Sequence, residues 1–335
     1  MTLAMGWLRR YKEKNETKEE LVFATDSCLS AGERWKSGVK LFDLPRNDCL
    51  ICFAGDTSRT YPLILNLINA IKYDKKLSDT SVDISDLVIY ITTLFTELCH
   101  SIDISGSSAT FEQLLGEFNF LFGGWSWKKN KFILSKIEYN HSLKSFVADT
   151  QDNERISILI GDNLYEANKK LTDKLIENNS IISGNFDIEH LQVLLEMIKE
   201  PQFDSIDGSI QFAKIYPPGN KEFFGVMWPN EKGKKTFLGK DVNKENNPNV
   251  RYIDPENGII LGNDLPKYLN LEDSKFFGED EEFIFNCYSK SKYELKDDLT
   301  ELDKQKLLTI LKEIAYKKYI EMNNQFSEEG EEDSE

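Results

Sequence analysis

Leu21-Val22-Phe23-Ala24-Thr25-Asp26-Ser27 is an apolar run that stops abruptly at a carboxylate and a hydroxyl. Four to five apolar residues closed by polar ones read as a buried strand whose last side chains reach a sheet edge. Upstream, Leu3–Trp7 reads as a second strand, and the charged stretch Arg9–Glu20 between them as the long polar tip of a hairpin. Downstream, Gly38–Leu44 and Cys49–Ala54 are two more short apolar strands around the turn Pro45-Arg46-Asn47-Asp48. The period then changes. Tyr61, Leu63, Ile64, Leu67, Ile68 and Ile71 keep helical spacing, and a second helix runs from about Asp86 to His100, with Asp83 or Ser85 as N-cap.

Beyond the Ser105–Ser108 loop, Phe118–Trp127 and Lys131–Tyr139 read as a hairpin and Ser145–Asp149 as a further strand. Helices follow at Asn163–Ile176 and Ile188–Ile198, then an alternating run Ile206–Ile215 closed by Pro217-Pro218-Gly219. Strands, helices, strands, helices, strand is not the alternation of a parallel βαβ fold. The order predicts an α+β protein with two antiparallel sheets packed together and helices outside. From Asn220 the composition shifts: Asn230–Asn249 is rich in Lys, Asn and Gly, Gly258–Leu261 and Glu282–Tyr288 read as short strand-like pieces, and Glu301–Met322 as a helix. The acidic residues 326–335 read as a disordered tail.

The chain has 335 residues and a formal net charge of −16, with no basic stretch against that field, which argues against a nucleic-acid partner. Its longest apolar runs are too short or too broken to span a bilayer. The start turns charged too early for a secretory signal. Five cysteines, mostly in apolar contexts, fit buried thiols in a reducing cytoplasm. Cys49 and Cys52 have redox-motif spacing but lie in a strand pattern without a second pair, so packing is the simpler reading. Trp125 and Trp127 read as core or interface residues.

With three histidines, His100, His141 and His190, and no nucleophile elbow, metal-binding His pair or phosphate loop, a His-dependent triad or a His-ligated metal is disfavoured. Thr2 offers another route. Met1 precedes a small residue and can be removed, which would leave a hydroxyl and a free α-amine on Thr2, the amine with a reference pKa of about 7.7–8.0. Asp26 at a strand end and Lys40 opening the next strand can form a buried pair that lowers the hydroxyl pKa. Ala54-Gly55, just before the helix whose first turn begins at Thr57, offers free backbone N–H groups to an oxyanion.

MTLAMG, LVFATDSCLSAG, KLF and CFAGDT together resemble the proteasome β-type N-terminal nucleophile hydrolases, most closely the bacterial HslV- and Anbu-type homologues. Leu121–Trp125 resembles the family's central glycine-bearing strand, Ile160–Asn163 its turn into the third helix, and Asp204–Gly208 its D-x-x-S-G stretch, so the resemblance covers roughly residues 2–216. It implies a four-layer αββα sandwich over residues 1–216, with an α+β extension over 217–325. It also implies Thr2 as nucleophile with its own amine as base, Lys40 and Asp26 as the catalytic pair, Gly55 as the oxyanion glycine and Asp204 as a supporting aspartate. Asp162 and Asp207 stand where the family has serine; ionised, each can accept a hydrogen bond but not donate one.

The activity so implied is peptide or amide hydrolysis in a cytoplasmic homo-oligomeric ring, acting on peptides or unfolded protein, with no metal or cofactor. Two alternatives stay open. Asp204-x-x-Asp207 would also suit a hard cation; Met1 in the nucleophile's place would make the site dead; and the chain would then be a proteasome-like scaffold or binding protein.

Overall fold

The Leu3–Glu13 strand (β1) and the Glu16–Thr25 strand (β2) pair antiparallel along their whole length, from Ala4↔Thr25 to Glu13↔Glu16. The charged stretch expected to form a long loose tip is therefore strand. Opposite charges explain it: Arg9 bonds Glu20 at 2.5 Å and Arg10 bonds Glu19 at 2.6 Å across the ladder, and such directly opposed pairs support a sheet.

The computed structural model describes residues 2–13, 16–31, 33–103, 118–180, 185–228, 231, 234–243, 248–261, 265–296 and 298–332. Met1, Gly32, the Ser105–Ser108 loop, part of Asn230–Asn249 and residues 333–335 of the acidic tail lie outside them. By compactness the chain forms two units, Met1–Phe223 with Phe237–Lys240, and Phe224–Thr236 with Asp241–Glu335.

In the first unit, β1 and β2 are followed by a small ribbon, Leu29–Ala31 (β3) and Glu33–Trp35 (β4), then Leu41–Asp43 (β5) and Cys49–Gly55 (β6). Helices Thr57–Tyr73 (α1), Lys75–Ser78 (α2) and Ile84–His100 (α3) come next. Asp56 caps α1 by accepting from Ser58 N at 2.8 Å, and Asp83 caps α3 by accepting from Ser85 N at 2.9 Å. Phe118–Ser126 (β7), Lys131–Asn140 (β8), Ser145–Gln151 (β9) and Ser157–Gly161 (β10) precede Leu164–Glu177 (α4) and Glu189–Lys199 (α5), and Gln211–Tyr216 (β11) follows. The strand expected from Ile206 thus begins only at Gln211.

The fold is mixed α+β with two antiparallel sheets. One has the order β5-β6-β7-β8-β9; the other runs β10-β1-β2-β11. Ala4, Leu8, Leu21 and Phe23 of the second sheet pack against Leu50, Cys52, Leu121 and Leu134 of the first, in one buried cluster. On its other face the first sheet packs Cys49, Ile51, Phe53, Phe120 and Phe122 against Leu63, Ile64, Leu87 and Ile91 of α1 and α3. Cys49 and Cys52 therefore face opposite sides of β6, as residues three apart on a strand must, and cannot share an ion or a disulfide. All five cysteines are free and buried.

On the other face of β1, Trp7 stacks on His190 of α5, with ring centroids 4.7 Å apart. His190 Nε2 lies 2.7 Å from Ser157 Oγ, while Nδ1 has no hydrogen-bond partner among the described residues. Burial pushes the His190 pKa down to about 3. The unfolded chain takes up that proton near the ordinary value of about 6.5. Between the two values the unfolded state binds more protons, so stability falls as pH falls. His190→Gln is expected to reduce the stability lost between about pH 6.5 and about pH 5 by about 2 kcal/mol, read from urea midpoints at both pH values. Equal losses in the two proteins would refute it.

The Pro217–Gly219 turn leads into Asn220–Trp228, a strand that the change in composition hid. In the second unit Val226–Trp228 pairs antiparallel with Lys234–Thr236, and Gly225–Val226 pairs parallel with Tyr252–Ile253. Glu281–Cys287, expected as a strand, is a helix (α6); its first turn is acidic, and Ile284 and Cys287 are buried at helical spacing. Glu301–Glu332 (α7) buries Leu307, Ile310 and Ile314 against Leu269, Phe277 and Tyr288. Its backbone stays helical through Glu332, into the acidic run read as disordered.

Candidate active site

Thr2 precedes β1, directly beside the ends of three other elements. Leu3 pairs with Gly161 at the end of β10, and Ala4 with Thr25 at the end of β2. Asp26, the residue after β2, turns back under Thr2: its Oδ1 accepts the Leu3 N–H at 3.0 Å, and its Oδ2 accepts the Cys28 N–H at 3.0 Å. Lys40, one residue before β5, donates from Nζ to Asp26 Oδ2 at 2.8 Å and also to Thr2 Oγ1. Thr2, Asp26 and Lys40 are each at most 1% exposed.

A lysine and an aspartate this deep are costly unless paired and fully hydrogen-bonded. Burial pushes the Lys40 ammonium below the ordinary lysine value, with Asp26 opposing the shift. The result is a cation aimed at the Thr2 hydroxyl and anchored from behind by a carboxylate with two backbone donors of its own. Such a charge favours the alkoxide over the alcohol.

The segment carrying Lys40 is held from β11 by a residue that the sequence reading passed over. Gln211 Oε1 accepts the Lys40 and Leu41 N–H groups at 2.9 and 3.0 Å, and its Nε2 donates to Gly38 O at 2.6 Å. A fully buried glutamine opening an apolar strand was the available signal. Gly38 N in turn donates to Ser27 O at 2.8 Å, and Ser27 Oγ accepts from Ser209 N at 2.8 Å.

Asp162 belongs to the cluster. Its Oδ2 accepts the Thr2 N–H at 2.7 Å, and its own N–H donates to Thr2 O at 2.8 Å. This approach depends on Gly161, which has φ +112° and whose added Cβ would overlap the Thr2 carbonyl. Gly161→Ala is expected to cost at least about 2 kcal/mol, from positive-φ strain plus that overlap, and to displace Thr2. Urea denaturation checks the first effect and the rate of Thr2 modification the second; wild-type values for both would overturn the packing account.

Gly55 ends β6 with φ +114°, and the preceding Ala54 lies against Gly161 beside the Thr2 backbone. Asp204 and Asp207 lie in a loop met by two cations. The carbonyl of Asp204 accepts from Arg34, while Asp207 Oδ2 meets Arg34 at 2.9 Å and Lys36 at 3.0 Å. Against the opposing effect of burial, the Gly208 N–H, then Lys36 and Arg34, hold the Asp207 carboxyl below the usual carboxylate range. The two cations also occupy the place a metal would take in a cation-binding turn, and no group of three or more His, Cys, Asp or Glu able to hold a metal occurs among the described residues. The loop also reaches Ser27, next to Asp26, through the Ser209 N–H.

Ser27 is also touched from later in the chain. Leu238 and Gly239 adopt φ +48° and +85°, and a Cβ on Gly239 would overlap the Ser27 side chain. The turn Phe237–Lys240 thereby belongs to the first unit. Among the described residues no helix is long and apolar enough to cross a membrane.

No family model matches the chain, and no curated protein matches it. Similar solved structures include an Anbu (Gly-1) mutant from Hyphomicrobium sp. strain MC1, at 15% identity over 64% of this chain and 82% of that one, with a TM-score of 0.43. The helical assembly of the Anbu complex from Pseudomonas aeruginosa matches at 13% identity over 67% and 87%, with a TM-score of 0.44. Anbu from Hyphomicrobium sp. strain MC1 matches at 16% over 64% and 82%, with a TM-score of 0.42. At these values the similarity carries nothing about activity, and the residues of the site have to speak for themselves.

Proposed function

We propose that the chain is an N-terminal threonine hydrolase of peptides or other amides, working through an acyl-enzyme at Thr2 once Met1 is removed. The observation that carries this reading is the buried Lys40 ammonium bridging Thr2 Oγ1 and the Asp26 carboxylate. Thr2 Oγ attacks the substrate carbonyl while the Thr2 α-amine takes the hydroxyl proton. The oxyanion that forms is met by backbone N–H groups at Gly55. The amine returns its proton to the leaving nitrogen, the C–N bond breaks, and an ester on Thr2 remains. Water, deprotonated by the same amine, then cleaves the ester and releases the acid.

Asp204 and Asp207 support this centre, a role favoured by their loop, whose Ser209 N–H holds Ser27 beside Asp26. The hydrolase domain is residues 1–216 in a four-layer αββα arrangement, a reading favoured by one sheet packed on the other and by helices α1 and α3 on the outer face of the first. Residues 217–325 are an extension, of which 217–223 and Phe237–Lys240 pack with the first unit, followed by an acidic tail. A cytoplasmic homo-oligomeric ring enclosing its sites completes the proposal and rests on the sequence resemblance.

A second reading, an inactive scaffold, is favoured by one observation: Thr2 is 1% exposed and its nitrogen is already engaged by Asp162. Intact mass and N-terminal sequencing of the purified protein, before and after a peptide epoxyketone that needs both hydroxyl and amine, separates the two. Loss of Met1 with one adduct on Thr2 supports the hydrolase. Retained Met1 supports the scaffold.

A further inference from the structure

Asp162 has a use of its own. Among the described residues its carboxylate makes one hydrogen bond, to the Thr2 nitrogen at 2.7 Å, and no ion pair within 4.0 Å. The charged groups that face Thr2 come from three elements. Lys40, from the segment before β5, reaches Oγ1; Asp26, from the end of β2, is spent on Lys40, Leu3 N and Cys28 N; Asp162, from the turn after β10, faces the nitrogen. Lys40 and Asp26 neutralise each other at 2.8 Å. Asp162 also acts on the Lys40 charge, and its carboxylate is the one in hydrogen-bond contact with the nitrogen.

In a chain without Met1 that nitrogen is an amine. We propose that Asp162 holds it as an ammonium in a direct ion pair, and so sets the pH above which the nucleophile works. This inference rests on the hydrolase reading and deepens it. An opposite charge in hydrogen-bond contact stabilises the protonated amine and raises its pKa above the ordinary value of about 7.7–8.0. The working form of the amine is the neutral one, because only that form can take the hydroxyl proton. The acid limb of the pH profile therefore moves to higher pH, and the site is largely idle at neutrality. Asp162 acts here as a positioning residue: the amide it donates to Thr2 O fixes the nitrogen over its own carboxylate.

The test uses the full chain, wild type and Asp162→Asn, with removal of Met1 checked first by intact mass. The rate of epoxyketone adduct formation is followed from about pH 6 to about pH 10. In parallel, acylation of the Thr2 amine by a small anhydride, located by peptide mapping, reports the same titration without any catalytic step. The wild-type limb is expected about one unit or more above that of Asp162→Asn in both assays. At pH 7 the variant should then reach a fraction of its own plateau about tenfold higher than wild type does. Coincident limbs overturn the inference while leaving the hydrolase reading intact. If neither Asp162→Asn nor Asp162→Ser folds, the wild-type limb alone decides: a value at or below about 8 overturns it. Retained Met1 overturns the hydrolase reading and this inference with it, and is recognised before any titration.

Discussion

Thr2→Ala should give a protein that folds as wild type does but forms no epoxyketone adduct, with amide hydrolysis reduced by about 10³-fold or more. The substitution removes the hydroxyl and the buried γ-methyl. The backbone bonds that build the corner, Leu3 N to Asp26 and Asp162 N to Thr2 O, do not involve that hydroxyl and remain. Lys40 keeps its carboxylate partner. The stability change should therefore stay within about 2 kcal/mol, the scale of one hydrogen bond and one buried methyl. Thr2→Ser restores a nucleophile and should recover labelling, which distinguishes loss of the hydroxyl from disturbance of the strand. Intact mass after inhibitor treatment, and a urea titration, check both halves. An adduct that persists in Thr2→Ala would place the nucleophile elsewhere.

Lys40→Met should be damaging in a different way, to stability as well as to chemistry. It strands Asp26, which is fully buried, with two backbone donors and no cation. Breaking a buried pair from one side costs about 3–5 kcal/mol. Burial already pushes the Asp26 carboxyl above its usual range, with Lys40 as the largest opposing influence. Without Lys40 the rise is larger, and the folded variant takes up a proton that the unfolded chain does not hold. A folded-state pKa above the unfolded value means that stability declines as pH rises through that window. The deficit of Lys40→Met against wild type should thus be smallest in mild acid and grow toward neutrality. Adding Asp26→Asn removes the stranded charge, so the double variant should recover part of the stability and none of the labelling. Urea midpoints at several pH values give the first result and intact mass the second. A deficit independent of pH would mean that Asp26 is not the group left exposed.

Much of the site was legible because it is built from strand ends. A carboxylate closing an apolar run, a lysine opening the next and a threonine at the start must meet once the runs pair, and Thr2, Asp26 and Lys40 do so. What was not legible depends on side chains that meet by packing across the sheets. Gln211 lies far along the chain from the Gly38–Leu41 backbone it holds, and no spacing rule connects them. The ion pairs of Asp207 with Arg34 and Lys36 likewise join residues that no spacing rule connects. The Arg9–Glu20 stretch looked like a loop because its residues are charged; pairing of opposite charges across the ladder makes it strand instead. Glu282–Tyr288 is the familiar ambiguity of a short apolar run, resolved by the acidic residues at its start and by the helical spacing of Ile284 and Cys287.

The turn at Phe237–Lys240 bears on how this protein can be dissected. Because those residues belong with the first unit and rest on Ser27, next to Asp26, the unit that carries Thr2 is not one uninterrupted length of polypeptide. A gene stopped after Phe223 would leave Ser27 bare on the side that Gly239 covers, and one extended to Lys240 would carry an orphaned stretch of the other unit along with it. Truncation series, fusion junctions and split-protein designs that treat Phe223 as a clean border will separate Asp26 and Ser27 from one of the parts that keeps their neighbourhood in place.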